Sequence, residues 1–136
     1  MALGWHIIAE FEQCAQDKID DIEFVEEHLN QSARVAGATI VKSVFHKFAP
    51  QGVSGVVVIE ESHFAIHTWP EHNYAAVDLF TCSDEMDYNS ALKYLKEKFC
   101  CSNLNYQVIK RGSNVINKAP KLNSIKHAYE GTAGKS

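Results

Sequence analysis

Val53-Ser-Gly-Val-Val-Val-Ile-Glu-Glu-Ser-His-Phe-Ala-Ile-His-Thr-Trp69 is the stretch that decides the fold of this 136-residue chain. Its first part, Val56-Val57-Val58-Ile59, is apolar on both faces of a strand, which predicts a central strand covered on both sides. Residues 63–69 alternate instead, with Phe64, Ile66 and Thr68 on one face and His63, Ala65 and His67 on the other. A connection this short between two strands favours antiparallel pairing. Downstream, residues 74–82 read as another strand that puts Ala76, Asp78, Phe80 and Cys82 on a shared face. Upstream, residues 38–48 are of β type and close on the turn Pro50-Gln51-Gly52.

The flanks supply the second layer. From residue 20 to 36 the apolar positions Ile22, Val25, Leu29, Ala33 and Ala36 recur at helical spacing, and Gly37 supplies a stop. Residues 87–99 repeat the pattern, with Asp87 as N-cap and Ala91, Leu92, Leu95 and Phe99 as the stripe. Short strands at 5–11 and 104–110 complete the order β-α-β-β-β-β-α-β. The expected fold is an α/β (α+β) two-layer sandwich, a mainly antiparallel sheet with two helices on one face. Residues 1–112 form one domain; from 113 to 136 the periodicity fades, and a loosely attached tail is expected. The other face of the sheet needs a cover, and a second subunit is the economical one.

Composition narrows the function classes. With 46% hydrophobic and 22% charged residues the chain is globular, yet too short for separate cofactor and substrate domains. Its net charge of −4 and dispersed lysines exclude the basic stripe of a dedicated nucleic-acid binder. No apolar run approaches the ~20 residues of a membrane span. Residues 1–10 lack a basic segment of the signal-peptide kind, so a cytoplasmic protein is expected. The four cysteines, at 14, 82, 100 and 101, should then stay reduced, and no CxxC pair suggests structural zinc.

Reactive side chains crowd between Glu60 and Cys82. His63 and His67 have a metal-ligand spacing on a helix, but on a strand four residues span roughly 13 Å, too wide for one ion. Ser62 sits at the junction of two strands, where a turn exposes a hydroxyl, and His67 lies one strand-length away. Such a pair also arises by chance, and a lone Cys82 also suits a small buried position. The residues alone leave both roles open.

The block Glu61-Ser62-His63-Phe64-Ala65-Ile66-His67-Thr68-Trp69-Pro70-Glu71 changes this, together with Gly52–Glu60, Tyr74–Cys82, Gly37-Ala38-Thr39 and Phe45-His46-Lys47-Phe48. Over about residues 4 to 112 the chain strongly resembles the small prokaryotic S-adenosylmethionine decarboxylases. The resemblance implies a self-processing enzyme of polyamine (spermidine) biosynthesis. Ser62 would attack the carbonyl of Glu61, Ser54 would steady the oxyanion, and His67 would remove the Ser62 α-proton. The chain would split into residues 1–61 and 62–136, leaving a covalent pyruvoyl group at position 62 as the cofactor, with neither metal nor pyridoxal phosphate. That group would condense with the substrate amine, and Cys82 would return a proton to the substrate α-carbon. For S-adenosylmethionine, Phe48 and Trp69 are candidates for an aromatic clamp and Glu71 for the ribose hydroxyls; His46 and Glu10 are weaker pocket candidates. The implied partners are the substrate and a second αβ unit in a homodimer, with no nucleic acid or membrane. The rivals are an arginine decarboxylase paralogue with the same pyruvoyl machinery and a non-catalytic nucleoside-binding subunit; a guanidinium substrate would require a carboxylate partner in place of an aromatic clamp.

Overall fold

The computed structural model of the chain describes residues 1–117. Its elements run β1 (Gly4–Glu12), α1 (Gln16–Ile19), α2 (Ile22–Val35), β2 (Ile40–Lys47), β3 (Val53–Ile59), β4 (Ser62–Trp69), a 3-10 turn (Pro70–His72), β5 (Tyr74–Thr81), α3 (Tyr88–Lys98), β6 (Asn103–Arg111) and α4 (Ser113–Asn117). The six strands form one sheet in the order β2-β3-β4-β5-β1-β6, and every neighbouring pair is antiparallel. Helices α2 and α3 pack on one face, as expected. The expected tail begins instead with the short helix α4, and positions 118–136 lie outside the described residues. No described helix is long and apolar enough to cross a membrane.

Local chemistry explains the helix ends. Asp21 caps α2 by accepting from the N–H groups of Glu23 and Phe24. At the other end Gly37 takes φ +86°, and the N–H groups of Gly37 and Ala38 bond back to Arg34 and Ala33. A left-handed residue is needed there, and glycine adopts it without steric cost. Asp87 caps α3 through Ser90 N–H. The short α1 was not expected, because four residues carry no helical period to read.

The core lies between the helices and one face of the sheet. Val25, Leu29, Leu92, Leu95 and Phe99 meet Ile7, Phe11, Val57, Phe64 and Leu79, all essentially inaccessible to water. The buried Thr68 hydroxyl accepts from Val53 N–H and donates to the Ile19 carbonyl, each at 2.9 Å, which ties α1 to β3 and β4.

The apolar run Val56–Ile59 predicted a central strand, and β3 is an interior strand paired with β2 and β4; the helices cover one of its faces and leave the other open on this chain. Val58 is 40% exposed and Val44 on β2 is 55% exposed. The sequence pattern is that of two covered faces, and the chain supplies one covering layer.

Glycine at position 55 is dictated by packing. A Cβ there would stand 2.0 Å from the Phe45 ring, which lies across β3 from β2. Gly55→Ala is expected to lower stability by about 1–3 kcal/mol in urea unfolding, because Phe45 must leave its site.

Candidate active site

The register of β4 distributes the candidate residues to its two ends. At one end β3 and β4 are joined through Glu60 and Glu61, with Ile59 opposite Ser62. Thr39 holds this tip: its carbonyl accepts from Glu60 N–H at 2.9 Å, and its N–H donates to the Glu61 carboxylate at 3.3 Å. On the other side Ser62 pairs with Thr81, which brings Cys82 alongside. Cys82 N–H donates to the Glu61 carbonyl oxygen at 2.9 Å. The peptide between Glu61 and Ser62 is therefore held by the backbone of the residue whose thiol is exposed next to it.

Ser62 itself has φ +154°, a region that residues with a side chain rarely occupy. Such positions cost about 1–3 kcal/mol and persist only where neighbours enforce them. Here the β3 and β5 pairings and the Cys82 hydrogen bond are those neighbours.

At the other end of β4, His67 lies opposite Ser54 on β3 and Ala76 on β5, and Ser54 lies opposite His46 on β2. All face away from the helices. The His67 ring is stacked on Trp69 (4.2 Å between centroids, 9° between planes) and on Phe48 (5.8 Å, 8°). His46 meets Phe48 edge-on at 4.6 Å, and Trp69 packs against Tyr74 at 5.3 Å. The Tyr74 hydroxyl donates to the Glu10 carboxylate, and burial first, then that carboxylate, push its pKa upward. A cavity of ≈ 520 Å³ opens on this face, lined among others by Val44, Phe48, Ser54, Val56, His67 and Asp78. Glu71 is exposed on the 3-10 turn beyond β4.

The sequence thus named two groups that one chain does not unite. Glu61, Ser62 and Cys82 come together, and Ser54, His67, Phe48 and Trp69 come together. Ser62 and His67 are five positions apart, roughly 16 Å along an extended chain. The space between Phe48 and Trp69, read from sequence as a substrate clamp, holds the His67 ring.

A third group had no partner in the sequence. His6 Nε2 lies 2.9 Å and His63 Nε2 3.4 Å from Asp78 Oδ2, and these three residues offer ligand atoms within 4.8 Å of one another. Arg111 donates to His6 Nδ1 at 3.1 Å and lies over the Phe80 ring. With Nδ1 accepting, the His6 proton sits on Nε2 and faces Asp78. The set is therefore a hydrogen-bonded chain running from Arg111 through His6 to Asp78, and a cation would have to displace that proton. His63 and Asp78 stand in the reactive stretch, but His6 reaches them only through the pairing of β1 with β5. The one local signal is Asp78 itself, the single charged residue of strand β5.

Of the four thiols, Cys14 and Cys101 are buried, and Cys101 is pushed up by its hydrogen bond with Cys14 and by burial. Cys82 and Cys100 are the exposed pair, and only Cys82 adjoins the Glu61–Ser62 peptide.

Comparison with known proteins shows the family and the fold. The family model described as S-adenosylmethionine decarboxylase matches residues 5–112. An S-adenosylmethionine decarboxylase proenzyme of Fervidobacterium nodosum is 59% identical over 98 residues, 72% of this chain and 72% of its own. One of Carboxydothermus hydrogenoformans is 54% identical over 111 residues, 82% of this chain and 87% of its own. Among solved structures, the adenosylmethionine decarboxylase of Aquifex aeolicus superposes with a TM-score of 0.75 at 38% identity, covering 82% of this chain and 92% of that one.

The loop that presents Phe48 depends on Asp20. Its carboxylate accepts from Gly52 N–H at 2.8 Å and from Lys47 Nζ at 3.1 Å, and the Gly52 bond foremost holds its carboxyl below the usual range. A lowered folded value means the stabilisation is complete above the unfolded value of about 3.9 and disappears as pH falls through the folded one. Asp20→Ala should cost about 1 kcal/mol in urea unfolding at pH 7, with the difference from wild type shrinking below pH 4.

Proposed function

Because the chain belongs to the S-adenosylmethionine decarboxylase family, we propose that it cleaves itself between Glu61 and Ser62 and then decarboxylates S-adenosylmethionine, as a homodimer in the cytoplasm, to make the aminopropyl donor of polyamine biosynthesis. The observation that carries this is the Glu61–Ser62 peptide, with its carbonyl held by Cys82 N–H and Ser62 at φ +154°.

The first step moves the Glu61 acyl group from nitrogen to oxygen. The Ser62 hydroxyl adds to the Glu61 carbonyl carbon, the C–N bond breaks, and the chain is joined through an ester with a free amine at position 62. Negative charge gathers on the Glu61 oxygen as the carbonyl becomes tetrahedral. The Cys82 N–H already points at that oxygen and needs no reorganisation. Opening the peptide also relieves the Ser62 backbone. In the second step a base removes the Ser62 α-proton, the electron pair forms the Cα=Cβ bond, and the Glu61 carboxylate departs. Water then replaces the nitrogen as ammonia. We assign the base to His67 and oxyanion support to Ser54.

His67 on β4 and Ser54 opposite it on β3 lie at the far end of the strand pair from Ser62, too far to serve the Ser62 of their own chain. A second copy docked on the open sheet face, with its strands reversed, brings them within reach. Val44 and Val58, exposed on that face, favour such a cover, since burying apolar surface stabilises by about 25 cal/mol per Å². Each site is then built from Ser62 and Cys82 of one copy with Ser54 and His67 of the other.

A pyruvoyl group at position 62 supplies an electrophilic carbonyl that withdraws electrons from the substrate α-carbon as carbon dioxide leaves. The residues present suit its formation, since the Glu61–Ser62 junction is intact. Cys82, exposed beside it, returns the proton to that carbon. Phe48, Trp69 and the exposed Glu71 form an aromatic and acidic rim suited to an adenosyl group, with Glu71 for the ribose hydroxyls.

Three measurements test this. Intact-mass spectrometry of the purified protein should show two fragments divided at Glu61/Ser62, the larger with an N-terminal pyruvoyl; Ser62→Ala should remain whole. Cys82→Ala should still cleave yet release carbon dioxide from S-adenosylmethionine about 100-fold more slowly, and arginine should release none in either protein. Ser62→Ala and His67→Ala each fail alone, but co-expressed they should cleave up to roughly half of the His67→Ala chains, because the mixed dimer rebuilds one site. Wild-type protein that stays whole yet turns over substrate would overturn the proposal.

A further inference from the structure

His67 is held in an unusual way. Among the described residues its ring makes no hydrogen bond, and two ring faces fix its plane, Trp69 at 4.2 Å and 9° and Phe48 at 5.8 Å and 8°. Each of these rings is fixed in turn. Phe48 N–H donates to the Gly52 carbonyl at 2.8 Å, and its ring meets His46 edge-on. Trp69 shares a face of β4 with His67 at two-residue spacing and packs on Tyr74, whose hydroxyl is bonded to Glu10. The result is one row of rings from His46 to Tyr74 with His67 at its centre.

Stacking and hydrogen bonding orient an imidazole differently. A hydrogen bond to either nitrogen uses a lone pair or fixes a proton, and so decides what that nitrogen can accept. Stacked rings cover only the faces and leave both nitrogens free on the rim. A base that must take a proton from carbon needs a free lone pair and a fixed direction. Beside His67, the next strand contributes Ala76, whose small side chain leaves the rim open to the cavity.

We propose that Trp69 and Phe48 are positioning residues for self-cleavage: they hold the His67 ring so that a free nitrogen meets the Ser62 α-proton of the second copy. The assignment rests on the self-processing mechanism above and adds a distinct role for the two rings, one exercised before any substrate binds. Their effect falls on one step only. The acyl shift from nitrogen to oxygen needs Ser62 and the Glu61 carbonyl and is untouched; removal of the α-proton, with formation of Cα=Cβ and departure of the Glu61 carboxylate, is slowed.

That division gives the test. Precursors carrying Trp69→Leu, Trp69→Phe and Phe48→Leu are followed from expression by intact mass, and the uncleaved fraction is treated with hydroxylamine, which cuts esters and spares amides. Trp69→Leu should cleave at least about tenfold more slowly than wild type, and its uncleaved chain should split in hydroxylamine at position 61 because the ester has formed and waits. Trp69→Phe, which restores a ring face, should come within about threefold of wild type, and Phe48→Leu should slow less than Trp69→Leu, matching its larger separation. Cleavage of Trp69→Leu at the wild-type rate overturns the proposal. So does an uncleaved chain that resists hydroxylamine, since a general disturbance of the site would stop the acyl shift as well. If Trp69→Leu does not unfold cooperatively, Phe48→Leu carries the same two outcomes, because Phe48 sits at the rim with 39% of its surface exposed. A wild-type chain that neither cleaves nor responds to hydroxylamine is a failure of self-processing itself, and is recognisable as such.

Discussion

The pairing of β4 between β3 and β5 is the constraint on which the rest of the molecule depends. It sets Ser62 opposite Ile59 and Thr81, and His67 opposite Ser54 and Ala76. A shift of one residue would turn Phe64, Ile66 and Thr68 out of the core and put the histidines in their place. The register is therefore enforced by burial, and the placement of the reactive groups follows from it. Thr68 secures the far end through its bonds to Val53 and Ile19, and the Cys82–Glu61 bond secures the near end.

The same constraint makes the chain functionally incomplete under the proposed mechanism. An extended strand separates what it carries by about 3.3 Å per residue, so a nucleophile and a base five positions apart cannot meet. Reversing a second copy against the open face solves this without any added element. The open face combines apolar side chains such as Val44 and Val58 with a histidine-rich polar set, which suits a covered surface that also has chemistry to perform. Under that proposal, one layer of helices, one sheet and one uncovered face would form half of a symmetric site.

Fold and site were legible to different depths. The strands, both long helices, the Asp87 cap and the Gly37 stop follow from alternation, helical spacing and turn chemistry, each a short-range property. Helix α1 escaped because four residues have no period. The apolar run in β3 marks an interior strand, but composition records how apolar a face is and not which chain covers it. Ser62, His67 and Cys82 were reached through a family resemblance, since a serine, a histidine and a cysteine in strands have no signature of their own. His6 was missed because its contact with Asp78 spans 72 positions, and the ring row at Phe48, His67 and Trp69 was missed in form although two of its members were named.

Periodicity and turn residues are local, so the residues suffice to specify the order of elements, the two-layer class and the face each strand turns to the core. Cross-strand distance, the hold of Cys82 on the Glu61 carbonyl, the φ of Ser62 and the stacking of His67 arise when segments far apart in the chain pack together. Packing chooses among arrangements that local preference leaves equal in energy, and here it decides which reactive groups are neighbours.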